Sequence, residues 1–389
     1  MATLSGVVQG KGPTMMSCRV CGTHIGETFL TLRGMPSSAQ NLPSADQLDV
    51  DRGEDLRVVQ CSACGLVQVD CQPVPYYKEV IRSVAFSEEM RGFRRLQLRD
   101  FAALHCLTGK PVIEIGCGRG EYLELLSEAG MCAAGTEYGV ANCQEAVRAG
   151  HRVFPVFPDS SAESFDGEAF AAFFTFNFME HWPDPRAVLL NVRAHLVPGG
   201  VGLVEVPNLD MLVEKQMCTE FVSDHLSYFT AESLRTTLLM SGFEVLEIRE
   251  VWHRYILSAT VRKRESLDFG PFEAALNAQR NRVLKFVNGA GRRGVAVWGA
   301  GHQALAAMAL MGLHGKVRYV VDSAPFKQGR FTPATHLPIR PPDALDTDPV
   351  DAILIIAAGF SDEVASIISR RWGPIFKVAI LREDDVEEL

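Results

Sequence analysis

Four of the ten cysteines stand in two closely spaced pairs, a spacing that is typical of a metal site. Cys18 and Cys21 form the first pair, and Cys61 and Cys64 form the second pair further along the chain. Together they offer four thiolates, which fill the tetrahedral coordination of a zinc ion and leave no open position. A redox motif or two disulfides are the alternatives, but paired CxxC motifs favour zinc. We therefore predict a structural zinc site, which stabilises a segment too small to bury its own core.

A glycine-rich turn follows the apolar run that contains Glu114, between a predicted strand and a predicted helix. Gly116, Gly118 and Gly120 allow a sharp turn and a close approach to a ligand, because they have no Cβ. A dinucleotide fingerprint requires Gly or Ala at position 121, whereas this chain has Glu121. That charge would repel a pyrophosphate but not the cationic sulfonium of S-adenosylmethionine.

Glu137 ends the next predicted strand, in the run AAGTEYG. A carboxylate at this position can accept hydrogen bonds from both ribose hydroxyls of an adenosine. The alternative is a solvated strand end. Combined with the glycine turn, Glu137 predicts a pocket for S-adenosylmethionine.

Two histidines follow later strands, at the sheet edge where doubly wound folds bind ligands. His181 lies in NFMEHWPDP and His225 lies in SDHLSYF. Transfer of a methyl group to carbon requires that a C–H beside a ketone lose its proton, and histidine suits this task at neutral pH. Asp224 could orient His225 or alter its charge state electrostatically. The alternative for both histidines is simple packing.

A second glycine turn contains Gly299 and Gly301, and Asp322 closes the strand that follows it. This GxGxxA pattern is a passable NAD fingerprint, so an NAD-dependent oxidoreductase is a rival hypothesis. The helix N-terminus after the turn would attract a diphosphate. Lys327 and Arg330 could pair with phosphate, or they could belong to a solvated loop.

Alternating strands and helices must position these residues. Short apolar runs alternate with amphipathic helices from Pro111 onwards, and a second alternation begins near Val295. This pattern predicts mostly parallel sheets that are covered on both faces. We also predict helices at 79–107 and 265–290. The predicted domains are a zinc-binding module (1–75), a methyltransferase domain (76–265) and a Rossmann-like C-terminal domain (266–389).

Composition excludes several function classes. The chain has 389 residues and a net charge of −9, so it has no electrostatic reason to hold nucleic acid. No apolar run is long enough to span a membrane, and the first fourteen residues lack the apolar core of a signal peptide. We expect a flexible leader, a cytoplasmic protein, and burial for most of the six scattered cysteines.

Segments along nearly the whole chain resemble class I methyltransferases, and more narrowly the sugar C-methyltransferases that act on nucleotide-linked keto-deoxysugars. The matching segments occur in the family's order: the cysteine module ending in CGLVQ, Tyr76-Tyr77, EIGCGRGEYL, the run from Asn177 through HWPDP, VEVP, DHLSYF and KQGRFTP. The resemblance implies an α/β protein with a zinc module, a central doubly wound domain that binds S-adenosylmethionine, and a C-terminal Rossmann-like domain. It also implies that the substrate lies between the last two domains.

The resemblance also implies roles for individual residues. It makes His225 the general base and groups the other candidate catalytic residues around it, namely His181, Asp224 and Tyr76. The candidate cofactor-binding residues are Glu114, Gly116, Gly118, Gly120, Glu137 and Asn177. The candidate substrate-binding residues are Tyr77, Tyr228, Gly299, Gly301, Lys327 and Arg330. The implied partner is a small molecule, a nucleotide-linked sugar, and the expected state is a monomer or weak oligomer that does not bind NAD.

Two departures from the family pattern affect the substrate side. The family often has Tyr-x-Glu-His before LSYF, whereas this chain has Val222 and Asp224 in the corresponding places. Valine cannot donate a hydrogen bond to a keto oxygen, so we expect different substrate contacts. An O- or N-methyltransferase of a natural product and a non-catalytic binding scaffold remain alternatives, beside the oxidoreductase.

Overall fold

The computed structural model describes residues 16–25, 28–40, 42–80, 87–159, 165, 167–383 and 385–389. The chain divides into two compact units, Met1–Glu265 and Ser266–Leu389. The predicted leader and residues 81–86 of the predicted helix 79–107 lie outside the described residues. No described helix is both long enough and apolar enough to cross a membrane.

The first unit contains thirteen strands and six α-helices among its described residues. The strands are β1 (Met16–Ser17), β2 (His24–Ile25), β3 (Thr28–Met35), β4 (Glu54–Gln60), β5 (Val67–Val69), β6 (Pro111–Ile115), β7 (Cys132–Thr136), β8 (Arg152–Phe154), β9 (Phe170–Phe176), β10 (Leu196–Pro207), β11 (Ser227–Tyr228), β12 (Phe243–Val251) and β13 (Ile256–Lys263). The helices are α1 (Glu88–Leu104), α2 (Glu121–Glu128), α3 (Val140–Arg148), α4 (Pro185–Ala194), α5 (Leu209–Glu214) and α6 (Ala231–Met240). Two 3-10 turns occur at Met179–His181 and Cys218–Glu220.

An antiparallel sheet joins the N-terminal module to a distant part of the chain. Its strand order is β11-β5-β4-β3, and Ser227 pairs with Gln68 across the edge between β11 and β5. Val58 and Val69 are fully buried in this sheet. The strand that follows His225 therefore completes the sheet of the cysteine module.

A seven-stranded sheet forms the centre of the first unit, with the order β12-β13-β10-β9-β6-β7-β8. The strands from β8 to β10 are parallel, and β13 and β12 add an antiparallel pair at one edge. After β6 the chain adds β7 and β8 on one side of that strand. It then crosses over to add β9 and β10 on the other side. This switch point between β6 and β9 is where open α/β sheets bind ligands.

Both faces of the central sheet are covered by helices. Ile113, Phe173 and Val204 pack in one core with α4 and α6, whereas Val112 and Phe174 pack in a second core with α1 and α2. Neighbouring residues of one strand point to opposite faces, so the apolar strands fill both cores. This arrangement explains why the strands appear in the sequence as continuous apolar runs.

The second unit is a smaller sheet with the order β16-β15-β14-β17-β18-β19, parallel except for β19. Its strands are β14 (Val295–Trp298), β15 (Tyr319–Val321), β16 (Ile339–Arg340), β17 (Ala352–Ile355), β18 (Lys377–Leu381) and β19 (Val386–Glu388). Its helices are α7 (Gly270–Asn288), α8 (His302–Leu310), α9 (Ala344–Thr347) and α10 (Ser361–Trp372), with 3-10 turns at Ala358–Phe360 and Gly373–Ile375. Helices α7 and α8 pack in one core and α10 packs in the other.

The predicted fold class is confirmed, and two finer expectations are wrong. Helix α1 begins after Ser87 rather than at Glu79, because the Ser87 hydroxyl caps the helix by accepting the Met90 N–H at 3.1 Å. The scattered cysteines are mostly not buried. Cys117 alone among these six is buried, whereas Cys106, Cys132 and Cys218 are exposed and Cys71 and Cys143 are partly exposed.

Candidate active site

The four paired cysteines converge at one point in the N-terminal module. Their Sγ atoms all lie within 4.8 Å of one another, and the shortest separations are 3.4 Å for Cys18–Cys64 and 3.5 Å for Cys21–Cys61. A tetrahedral zinc ion with Zn–S bonds near 2.3 Å separates its sulfurs by about 3.8 Å, so the cluster fits zinc. All ten cysteines are free thiols, which disagrees with the disulfide alternative.

Backbone turns in the two CxxC motifs set the positions of the sulfur atoms. Gly22 donates its N–H to the carbonyl of Cys18 at 3.0 Å, and Gly65 donates to the carbonyl of Cys61 at 2.9 Å. Cys18 and Cys61 are buried in the same core as Trp182 of the central domain. The zinc module is thus packed directly against the methyltransferase sheet.

The first glycine turn connects β6 to α2. Gly116 has φ +78°, and a Cβ built there would lie 2.3 Å from the Phe178 side chain. Gly120 has φ +91° and caps α2, and a Cβ there would lie 2.5 Å from the ring of His151. Gly118 lies between them with φ +59°. Larger side chains would strain the turn and fill the space around it.

Glu137 lies beside this turn, directly after β7. Its Oε2 accepts the Gly118 N–H at 3.0 Å, and its Oε1 accepts the Gly139 N–H at 2.6 Å. Burial raises the pKa of the Glu137 carboxyl to about 7, although these backbone N–H groups favour its charged form. The acid predicted to hold the ribose is therefore positioned by backbone N–H groups, one of them from the turn, and it is 1% exposed.

A cavity of about 530 Å³ lies next to the turn, within the first unit. It brings together six residues predicted as site residues: Tyr76, Tyr77, Asn177, His181, Asp224 and His225. Asn177 follows β9 with φ +49° and donates its N–H to the carbonyl of Glu205 at 2.9 Å. Six other predicted residues of this unit are not among the described residues that line the cavity, namely Glu114, Gly116, Gly118, Gly120, Glu137 and Tyr228.

The two histidines pack against each other inside the cavity. Their ring centroids are 4.7 Å apart in an edge-to-face arrangement. The Nδ1 atom of His181 lies 2.9 Å from the carbonyl oxygen of Asp224. Burial, followed by the neighbouring His181, lowers the pKa of His225 to about 3, and burial also lowers the pKa of His181. Both imidazoles are neutral at neutral pH, which is the form that can accept a proton.

Asp224 fixes the His225 loop to the N-terminal module. Its Oδ1 accepts the Tyr76 hydroxyl at 2.7 Å, and its Oδ2 accepts the Ala39 N–H at 2.7 Å. The neighbouring Ser223 hydroxyl donates to the carbonyl of Ser37 at 2.8 Å. The Asp224 carboxylate therefore anchors the loop, and only its backbone carbonyl reaches a histidine.

Tyr228 supports the same loop from within. Its hydroxyl accepts the Val222 N–H at 2.8 Å, and the ring lies 6.0 Å from the ring of His225. The structure thus gives Tyr228 backbone partners in the loop rather than a place in the cavity wall. Val222 itself lines the cavity and presents an apolar side chain to it.

Glu180 and Val80 are among the cavity residues that sequence reasoning missed. Glu180 is only 2% exposed, and its Oε2 has no hydrogen-bond partner among the described residues. Burial raises the pKa of Glu180 to about 8. Val80 lies over the glycine turn, and its Cγ2 is 2.8 Å from the Cβ position of Gly116. Glu180 lies within the run NFMEHWPDP, directly before the histidine that was noticed, but that run was interpreted for Asn177 and His181 alone.

The second glycine turn lies in the second unit, between β14 and α8. Gly299 has φ +124°, and a Cβ there would lie 2.2 Å from the backbone oxygen of Ile356. The Asp322 carboxylate accepts the Ala300 N–H at 2.8 Å and forms an ion pair with Lys327 at 2.9 Å. Gly301 has open space around it. Lys327, predicted to pair with phosphate, is thus paired within its own unit, and Arg330 is exposed nearby.

Comparisons with known proteins divide the chain into three matched parts. A family model described as a zinc binding domain matches residues 18–76, one described as a methyltransferase domain matches residues 86–248, and one described as a C-methyltransferase C-terminal domain matches residues 259–380. The C-methyltransferase NovU of Streptomyces niveus is 25% identical over 386 residues, which cover 89% of this chain and 90% of NovU. The chain is an S-adenosylmethionine-dependent C-methyltransferase.

Two further comparisons each match less than half of this C-methyltransferase. An S-adenosylmethionine-dependent methyltransferase of Mycolicibacterium smegmatis is 26% identical over 175 residues, 43% of this chain and 65% of that protein. A solved methyltransferase from Mesorhizobium loti covers 42% of this chain and 98% of its own, with 14% identity and a TM-score of 0.34. S-adenosylmethionine is the methyl donor of the enzyme, and the four-cysteine cluster is its zinc site.

Proposed function

We propose that this enzyme methylates a carbon atom next to a ketone in a nucleotide-linked deoxysugar or a related small metabolite, with His225 as the general base. The observation that carries the proposal is that His225 lines the same cavity as Asn177 and the residues around the first glycine turn. Similarity to the C-methyltransferase NovU supports transfer to carbon. The free thiols fit our proposal of a reducing, cytoplasmic setting.

S-adenosylmethionine supplies an electrophilic methyl group, and Gly116, Gly118 and Glu137 are the residues that we propose to hold it. The remaining task of the protein is to create a carbon nucleophile. Neutral His225 accepts the proton from the carbon beside the ketone, and the negative charge that forms on the ketone oxygen stabilises the new imidazolium. His181, held by the Asp224 carbonyl, keeps the His225 ring in place.

We call the part of the cavity lined by Val222 and Asp224 the acceptor wall. Its residues favour a substrate that differs from those of the sugar C-methyltransferases that the sequence resembles. Val222 gives the wall an apolar patch, and the shorter Asp224 is engaged by Tyr76 and Ala39. Two tyrosine hydroxyls at the cavity already have carboxylate partners, since Tyr76 donates to Asp224 at 2.7 Å and Tyr255 donates to Glu220 at 2.6 Å. A keto sugar with an apolar substituent facing Val222 fits this wall.

The test is a methyl-transfer assay with a panel of nucleoside-diphosphate keto-deoxysugars and 13C-methyl-labelled donor. We expect one methyl group to be added, with a 13C resonance typical of a C–CH3 group. His225→Asn should lower kcat at least about 100-fold, whereas the exposed His253→Asn control should leave it unchanged. A methyl group on oxygen or nitrogen, or full activity in His225→Asn, would contradict the proposal.

A further inference from the structure

We infer that Glu180, His181 and His225 form a second metal site, separate from the four cysteines, which binds a divalent transition-metal ion. One carboxylate oxygen and one nitrogen from each imidazole lie within 4.8 Å of one another. All three residues line the cavity of the first unit. Among the described residues, the only other cluster of this kind is the set of four cysteines.

The surroundings of the Glu180 side chain indicate that a cation binds beside it. The side chain is 2% exposed, yet its Oε2 has no hydrogen-bond partner among the described residues. A buried carboxyl oxygen without a partner is costly, and native structures normally satisfy such groups. A cation between Glu180 and the two imidazoles supplies the missing partner.

His181 has the orientation that a metal ligand needs. The carbonyl of Asp224 can only accept a hydrogen bond, so the proton of the His181 ring lies on Nδ1, 2.9 Å away. The lone pair is then on Nε2. Metal-binding histidines commonly donate their other N–H to a backbone carbonyl in this way, because the bond fixes the tautomer and the ring plane.

The ligand set determines the class of ion. Two imidazoles and one carboxylate suit zinc, iron, cobalt or nickel rather than magnesium or calcium, which prefer oxygen ligands. Metal–ligand bonds near 2.1 Å place neighbouring donors about 3.4 Å apart. The three side chains need only a small contraction to reach this geometry. The cavity leaves room for water at the open positions.

Metal binding at this site has one consequence for methyl transfer. That consequence rests on the proposed function, in which His225 is the general base. An ion that binds the lone pair of His225 prevents the ring from accepting a proton. Divalent transition metals should therefore inhibit methyl transfer by the zinc-loaded enzyme. Binding itself does not depend on the proposed function and can be measured without an acceptor.

The experiment titrates Co²⁺ into the full-length protein that carries zinc in its cysteine cluster. Bound metals are counted by mass spectrometry after gel filtration, and the visible spectrum reports the ligands of cobalt. We expect one Zn²⁺ and one Co²⁺ per chain in the wild type. Glu180→Gln and His225→Asn should each weaken Co²⁺ binding at least about 100-fold while they retain zinc. The matched controls Glu232→Gln and His253→Asn should bind cobalt as the wild type does.

Three results would overturn the inference: one zinc and no cobalt in the wild type, cobalt binding in both site variants that is as tight as in the wild type, or cobalt spectra with strong thiolate charge-transfer bands. The last result would place cobalt in the cysteine cluster. Thermal stabilisation by S-adenosylhomocysteine verifies that each variant is folded. A failure of cobalt binding would leave the His225→Asn assay of methyl transfer as a separate test of the proposed function.

Discussion

The two glycine turns of this chain share a Gly-x-Gly motif between a strand and a helix but have different surroundings. Each turn follows a buried strand and precedes a helix, and an acidic residue ends the next strand. Glu137 bonds to backbone N–H groups beside a cavity, whereas Asp322 also forms an ion pair with Lys327. The Cβ position of Gly299 meets the backbone of Ile356, directly after β17, whereas that of Gly116 meets side chains. Both acids accept backbone N–H groups near their own turn, so the pattern alone does not separate a ligand site from internal packing.

Zinc removal should have the largest effect, and it should affect only one of the two units. Because β5 pairs with β11, loss of the zinc module should release the loop that carries His225. Structural zinc contributes roughly 10 kcal/mol or more in small modules, so we expect Cys61→Ala to abolish methyl transfer.

Hydrogen exchange measures this effect directly. In Cys61→Ala, amides near 224–228 should lose protection, whereas amides of β14 and β17 should keep it. Cys132→Ala, which removes an exposed thiol, is the control. Unchanged protection of 224–228 in zinc-free protein would contradict the role assigned to the module.

Replacement of the first glycine of each turn by alanine should distinguish an effect on S-adenosylhomocysteine binding from an effect on the stability of the second unit. Gly116→Ala forces a side chain to adopt φ +78° against Phe178, and we expect S-adenosylhomocysteine to bind at least about 100-fold more weakly. Gly299→Ala should destabilise the second unit by roughly 3 kcal/mol and leave this binding intact. Calorimetry measures the affinity for S-adenosylhomocysteine, and denaturant unfolding measures the loss of stability. Equal loss of binding in both variants would remove the distinction between the turns.

Removal of the charge from each acid should have a smaller effect. Glu137→Gln should weaken S-adenosylhomocysteine binding about 10- to 100-fold, because a charged acceptor of ribose hydroxyls is lost. Asp322→Asn should change the affinity less than about twofold. Calorimetric titration of both variants is the measurement. The comparison fails if Asp322→Asn has the larger effect.

Affinity should also depend on pH through Glu137. Its pKa of about 7 in the free protein means that the carboxylate fraction rises about tenfold between pH 6 and pH 8. Ribose hydroxyls donate to the charged form, so affinity should rise by a similar factor over this range. Glu79 and Cys143 lie close enough to affect the titration. Glu137→Gln should remove the dependence, and a pH slope that persists in this variant would assign it to another group.

The local structure of the proposed cofactor side was predictable because its parts are close together in sequence. A strand, a glycine turn and an acid at the end of the next strand fall within 111–137. The fold class followed from the alternation of apolar runs and helices. The short strands β16 and β19 were not predicted, because two or three residues carry too little periodicity.

The acceptor side was less predictable because distant segments build it. Tyr76 reaches Asp224 across 148 positions, and β11 joins a sheet that begins near residue 28. The resemblance to a family grouped these residues, but it did not indicate how they contact each other. The early start predicted for α1 has a different cause, since the sequence pattern did not single out Ser87 as the residue that caps the helix.

A crystal structure of the enzyme with S-adenosylhomocysteine tests the central claim most directly. We predict that its ribose contacts Glu137, that its adenosyl group lies beside the turn at Gly116, and that its sulfur faces the cavity of His181 and His225. Density for the ligand at the Gly299 turn, or a ribose without contact to Glu137, would contradict this account.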